Sequence, residues 1–217
     1  MEEKEEEMKT RIEAISPESI ETRSFEIIHE ELGREIDPLI KPILYRVIHT
    51  TADFEYADTL YFSENAVEKA LEVLRSGATI ATDTNMVLAG INKSALKQLG
   101  CKAVCYMADE DVAQKARREG TTRAYAAVNK AASLSGPVIF AVGNAPTALI
   151  RLRELIDKGD IKPSLIIAVP VGFVNVEVSK ELIIETDIPA IVSRGRKGGS
   201  NVAAAIVNAL VYQLTRS

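Results

Sequence analysis

Arg46 and His49 stand three residues apart in the stretch RVIHTTAD, and His49 is one of only two histidines in the 217-residue chain. At that spacing both side chains lie on one face of a helix. Imidazole can give or take a proton near neutral pH, and a guanidinium can grip a carboxylate at two points. The pair therefore reads as a proton donor beside an anion clamp. A core histidine bonded to a backbone carbonyl, next to an unrelated arginine, is the other reading that the residues allow. Thr50, Thr51 and Asp53 follow closely enough to help orient the imidazole. His29 lies among Glu26, Glu30 and Glu31 and is assigned to a solvated helix face.

Other candidates fall just after short aliphatic runs. DTNM follows the first run, ADED the second, GNAPT the third, PVGF the fourth and RGRKGGS the fifth. In a parallel sheet, ligands bind outside the carboxyl ends of the strands. Gly143, Gly172, Gly195, Gly198 and Gly199 are all in these segments, where glycine permits sharp turns and close backbone approach. GNAPT and GGS each lead into a helix whose first N–H groups favour an anion, which makes Gly143, Asn144, Gly198, Gly199 and Ser200 candidate contacts. Arg123 follows GTT at a helix start, and Arg194 and Arg196 flank Gly195. Together they suit a ligand carrying several carboxylates. Taken singly, each glycine could serve a turn and each arginine the surface. No G-x-G-x-x-G or phosphate-loop pattern follows a strand. Two histidines twenty residues apart, with no H-E-x-x-H and no close cysteine pair, make no metal cluster.

The elements that must hold these residues are legible as an alternation. ATIAT, KAVCYM, PVIFAV, SLIIAV and PAIVS alternate with helical patterns, predicting a three-layer α/β/α fold with a mostly parallel central sheet. The first helix is expected after Ser16 as N-cap and Pro17, ending at Gly33. A second is expected to begin between Asp37 and Pro42 and run to about Thr50. Ser63 is expected to cap a helix through ENAVEKALEVLRS that ends at Gly77. The apolar share of 47%, with only 5% aromatics, fits strands buried on both faces. Residues 1–15 read as an acidic, frayed leader and 16–217 as one α/β domain, with no low-complexity linker. The net charge of −5 offers no basic excess for nucleic acid. No membrane span and no export signal are expected, because the start is acidic and the longest uncharged stretch is broken by SLSGP and GNAPT. Cys101 and Cys105, read as sharing one strand, would be roughly 13 Å apart, too far for a disulfide. A reduced, cytoplasmic protein is the simplest reading.

In the order RSF, RVIH, GNAPTAL, PVGFV, VSK and RGRKGGS, the sequence closely resembles the precorrin-8X methylmutases, and the anaerobic cobalt-precorrin-8 methylmutases share the pattern. The likeness runs from about Ser24 to Leu214. It implies an isomerase of cobalamin biosynthesis that moves a methyl group from C-11 to C-12 of a contracted tetrapyrrole, giving hydrogenobyrinate or its cobalt counterpart, cobyrinate. It matches His49 to the family's catalytic histidine, Arg46 to a substrate-contacting arginine and Ser24 to an early serine. It further implies a homodimer with the active site near the subunit contact. No cofactor is expected, since a methyl shift within a conjugated ring needs neither a redox group nor a covalent nucleophile. The partner is then a tetrapyrrole substrate whose acetate and propionate arms meet the arginines. Two other readings are a corrinoid-binding chaperone without catalysis and an unrelated α/β nucleotide-binding enzyme.

Overall fold

The structure, a computed structural model, describes Ser16 and Ser19–Arg216. By its internal contacts the chain divides between Glu35 and Ile36 into two compact units. In the first, helix α1 spans Ile20–Leu32, and Gly33 ends it in the left-handed conformation (φ 59°), donating to the His29 carbonyl at 3.3 Å. The stop is therefore where the sequence put it. The start is later: Ser19 is the N-cap, while the Ser16 carbonyl accepts the Ser19 N–H at 2.9 Å. The expected contribution of Pro17 lies outside the described residues, as does the acidic leader.

The second unit holds a six-stranded sheet. Its strands are β1 (Leu60–Phe62), β2 (Thr79–Thr82), β3 (Lys102–Cys105), β4 (Val138–Val142), β5 (Leu165–Ala168) and β6 (Ala190–Ser193), in the spatial order β1-β6-β5-β4-β2-β3. Strands β2 to β6 are parallel, and β1 runs antiparallel to β6 with Leu60 opposite Ser193. The five aliphatic runs are the five parallel strands. β1 escaped the pattern because it is three residues long and only half-buried, so it shows no aliphatic run.

Around the sheet lie α2 (Lys41–Thr51), α3 (Tyr56–Thr59), α4 (Ala66–Arg75), α5 (Asn85–Gly90), α6 (Lys93–Gln98), α7 (Glu110–Glu119), α8 (Arg123–Ala131), α9 (Pro146–Asp157), α10 (Val176–Ile184) and α11 (Ser200–Thr215). Alternate strand residues face opposite layers, because successive side chains in a strand point to opposite sides. Ala81, Phe140, Val142, Ile166, Ala168, Ala190 and Val192 pack with Ala124, Val128, Leu149, Leu152 and Ile183 of α8, α9 and α10. The other layer is built on α11, which packs against α2, α4, α5 and α6 and against β4 and β5. The unit is a three-layer α/β/α fold.

Two local expectations change. Ser63 does not cap α4; its hydroxyl accepts the Ala190 N–H at 2.8 Å and its own N–H meets the Ala190 carbonyl at 2.9 Å. Those bonds extend the β1–β6 edge, and α4 starts only after Asn65 in the left-handed region (φ 56°). Cys101 sits just before β3, not within it. Its buried thiol donates to the Leu74 carbonyl and accepts the Ala78 N–H, both at 3.2 Å, and both cysteines are free. Among the described residues no helix is long and apolar enough to cross a membrane.

Candidate active site

β3 and β4 flank β2 on opposite sides, so the chain reverses its direction of winding between β2 and β4. A crevice opens at the carboxyl end of such a reversal, the usual ligand position in open α/β sheets. Asp83 follows β2 there and is only 5% exposed. One carboxylate oxygen accepts the Gly143 N–H at 2.9 Å, and the other accepts those of Asn144 and Ala145 at 2.8 and 2.7 Å. Burial pushes its pKa above the ordinary carboxylate value, against the pull of the three N–H donors. The anion expected at the start of α9 is thus supplied by the chain itself. The N–H groups of Gly143 and Asn144 are committed to Asp83, and Asn144 presents its exposed side chain to the edge.

The segments after β4, β5 and β6 interlock through glycines. A methyl group on Gly143 would lie 2.7 Å from the Ser200 Cα and 2.9 Å from the Gly199 carbonyl oxygen. Gly199 (φ 141°) donates to the Val169 carbonyl at 2.8 Å, and Gly172 donates to the Arg196 carbonyl at 3.2 Å. The Ser200 hydroxyl opens α11 2.9 Å from that of Thr84, which caps α5 by accepting the Val87 N–H. Arg123 begins α8 on the surface, and its neighbour Thr122 meets Thr147 of α9 at 2.8 Å, which ties α8 to the GNAPT segment.

In this loop the Gly195 and Lys197 carbonyls accept from buried Lys180 and the Arg196 carbonyl accepts the Gly172 N–H, while the side chains of Arg194 and Arg196 are exposed at the edge. Arg194 lies over the Tyr61 ring, 5.1 Å from its centroid, with Nε 3.7 Å from Glu181. Arg196 Nε donates to Glu177 at 2.8 Å, and its guanidinium stands 5.6 Å from the centre of the Phe173 ring. Both ion pairs are solvent-exposed, so each contributes little and yields readily to a ligand carboxylate. Phe173 and Val174 are 82% and 79% exposed, giving the edge an apolar patch between its cations. Beside Arg194, a cleft of about 460 Å³ runs along Leu60, Tyr61, Phe62 and Asn65.

α2 places His49 in its last turn, exposed, before Ala52 closes the helix in the left-handed region (φ 52°). The core-histidine reading therefore fails. One turn earlier, half-buried Arg46 lies with its guanidinium 5.2 Å from the Tyr212 ring centre on α11. The Thr51 hydroxyl donates back to the Val47 carbonyl at 2.8 Å, while Thr50 is exposed. Asp53 accepts from Lys197 Nζ at 2.6 Å, and Glu55 accepts from the same group at 2.8 Å. That lysine holds the Asp53 carboxyl below its ordinary pKa. The clasp fixes the end of the His49 helix to the loop that carries Arg194 and Arg196. Ser24 belongs to the first unit, where its hydroxyl donates to the Ile20 carbonyl at 2.8 Å.

The profile of one family, precorrin-8X methylmutase, matches residues 19–213, nearly the whole described chain. The chain belongs to the precorrin-8X methylmutase family. It is thereby placed among isomerases. A cobalt-precorrin-8 methylmutase of Salmonella typhimurium is 46% identical over 205 residues, covering 91% of this chain and 96% of the relative. One of Leptospira interrogans is 42% identical over 202 residues, covering 89% and 92%. A crystal structure of the precorrin-8X methylmutase of Thermus thermophilus superposes with a TM-score of 0.81 at 41% identity, covering 89% of this chain and 96% of that one.

Three residues of this edge were not singled out from the sequence: Asp83, Lys180 and Lys197. Lys180 had a readable signal, since Val176, Ser179, Lys180 and Ile183 share the buried face of α10 at helical spacing. Asp83 had a weaker one, a carboxylate directly after a buried strand. Lys197 had none, because nothing local to RGRKGGS points to Asp53.

Proposed function

We propose that the protein isomerises cobalt-precorrin-8, moving the methyl group from C-11 to C-12 of the ring to give cobyrinate, with His49 as the catalytic residue. The observation that carries this is the exposed His49 at the end of α2, clasped through Asp53 and Lys197 to a loop whose arginines face outward. His49 gives a proton or a hydrogen bond to a ring nitrogen. That draws electron density from the conjugated system and lets the methyl migrate, with every atom conserved. Arg46, Arg123, Arg194 and Arg196 meet the acetate and propionate arms, and Asn144 and Ser200 supply further polar contacts; the family likeness alone assigns Ser24 a substrate role. Gly143, Gly198 and Gly199 let the segments of the edge pack closely enough to present Asn144, Arg194, Arg196 and Ser200 to the substrate. The exposed Val171, Phe173 and Val174 offer the macrocycle an apolar support.

Both curated relatives described above act on the cobalt form by name, which supports the cobalt-bearing ring as substrate. We further infer a cytoplasmic homodimer with the site near the subunit contact. An exposed apolar patch at Val171, Phe173 and Val174 and two free cysteines agree with that reading. The test is to incubate the protein with cobalt-loaded and metal-free precorrin-8 side by side and follow the ring absorbance. Conversion of the cobalt form is expected. An unchanged spectrum for both rings, with binding retained, would make the protein a corrinoid carrier instead.

A further inference from the structure

Lys180 is wholly buried in α10, the largest side chain to be so among the described residues. A buried ammonium is costly, and an apolar side chain of the same length would pack against Ile183 and β6 without that cost. What Lys180 does with its charge is specific. Nζ donates to the carbonyls of Gly195 and Lys197, each at 2.8 Å. The Ser193 hydroxyl donates to the same Lys197 carbonyl at 2.9 Å. Glu177 and Glu181 on the same helix are exposed and face Arg196 and Arg194.

We propose that Lys180 is a positioning residue for the methyl shift, holding the 194–199 loop from beneath so that Lys197 grips Asp53 and Glu55 and fixes the helix end that carries His49. The proposal rests on the reading of His49 as the reacting group. Its path is short and continuous: Lys180 Nζ to the Lys197 carbonyl, Lys197 Nζ to Asp53, and Asp53 to the turn that closes α2 four residues after His49. The Arg196 carbonyl accepts the Gly172 N–H and the Lys197 carbonyl also accepts the Ser193 hydroxyl, so it is the Gly195 carbonyl that depends on the Lys180 cation for its donor.

The test is a double-mutant cycle on the full chain, using Lys180→Met, Lys197→Met and the double variant, read by turnover at saturating cobalt-precorrin-8, product affinity and melting. Each single variant is expected to lower kcat on the order of 10- to 100-fold, as a small misplacement of a reacting group does, with product affinity falling by much less than turnover because Arg194 and Arg196 ride on the same loop. The double variant should be no slower than the slower single, because both act through one path. Lys180→Arg, which keeps a cation, should recover part of the rate. Lys197→Met alters a half-exposed side chain and so remains informative if Lys180→Met does not fold. Turnover at the wild-type rate by Lys197→Met, or multiplied losses in the double variant, would overturn the proposal. His49→Ala run alongside separates the two claims. If it is inactive while both lysine variants are normal, only the positioning role fails; if it is active, the His49 reading fails and takes the positioning role with it.

Discussion

Gly198→Ala is a sharp test of how the edge is assembled. The added methyl would be driven into the Val169 carbonyl oxygen and placed 2.8 Å from that of Pro170. An ordinary carbon–oxygen contact is about 3.3 Å or longer, so both carbonyls or the loop itself must move. Val169 is fully buried and its carbonyl already accepts the Gly199 N–H, so the loop is the part that yields. Overpacking of this kind costs about 1–3 kcal/mol. For a chain of this size the melting temperature should therefore fall by roughly 2–12 °C. Moving the loop also moves Lys197 and Arg196, and a shift approaching 1 Å lowers turnover on the order of 100-fold. Gly195→Ala is the comparison. Its methyl would meet nothing within 4 Å, and only its left-handed backbone (φ 73°) is strained, at a cost of about 1–2 kcal/mol. The two variants should melt in the same range, and Gly198→Ala should lose far more turnover. Wild-type melting and turnover in Gly198→Ala, measured by calorimetry and ring absorbance, would refute the packing argument.

Asp83→Asn replaces an acceptor-only group facing three N–H donors with one that carries donors of its own. Losing hydrogen bonds to a buried charge costs about 1.5–3 kcal/mol, visible as a lower urea midpoint; an unchanged midpoint would remove Asp83 as the anchor of GNAPT. Burial holds the Lys180 pKa down to about 8 from the ordinary 10.5. Between those values the unfolded chain holds a proton that the folded chain has shed, so this group makes stability rise with pH through that window, by up to about 3 kcal/mol. Subtracting the unfolding free energies of Lys180→Met from those of the wild type should isolate that rise, and a flat difference would contradict the burial of the ammonium. Sedimentation at micromolar concentration should give a species of twice 23.6 kDa; a lone monomer would refute the homodimer.

The five parallel strands and most helices were legible because buried strands and helix faces leave periods in the sequence that depend on neighbours a few residues away. β1 was not, since an edge strand of three half-buried residues owes its existence to β6. α5 was missed for a related reason: six residues starting in DTNMVL are too few to show a helical period. The site was legible where a residue type carries the chemistry by itself, as with His49 and the arginines. It was not where a residue acts through distant backbone. Asp83 serves N–H groups sixty residues away, and Lys197 reaches back to Asp53 across 144 positions. Local pattern holds no trace of such pairs. The GNAPT turn shows the opposite error, because a helix start that looks ready for a ligand anion already holds the chain's own carboxylate.

The most direct test of the central claim is single-turnover absorbance of cobalt-precorrin-8 with His49→Ala and His49→Gln. General acid–base assistance supplies on the order of 10²–10⁴-fold, so His49→Ala should lose at least the lower figure while melting and product affinity stay near those of the wild type. His49→Gln, which keeps a hydrogen bond but cannot pass a proton, should recover rate only if hydrogen bonding alone suffices. Conversion by His49→Ala at near wild-type rate would contradict the account and place the proton source elsewhere along the edge.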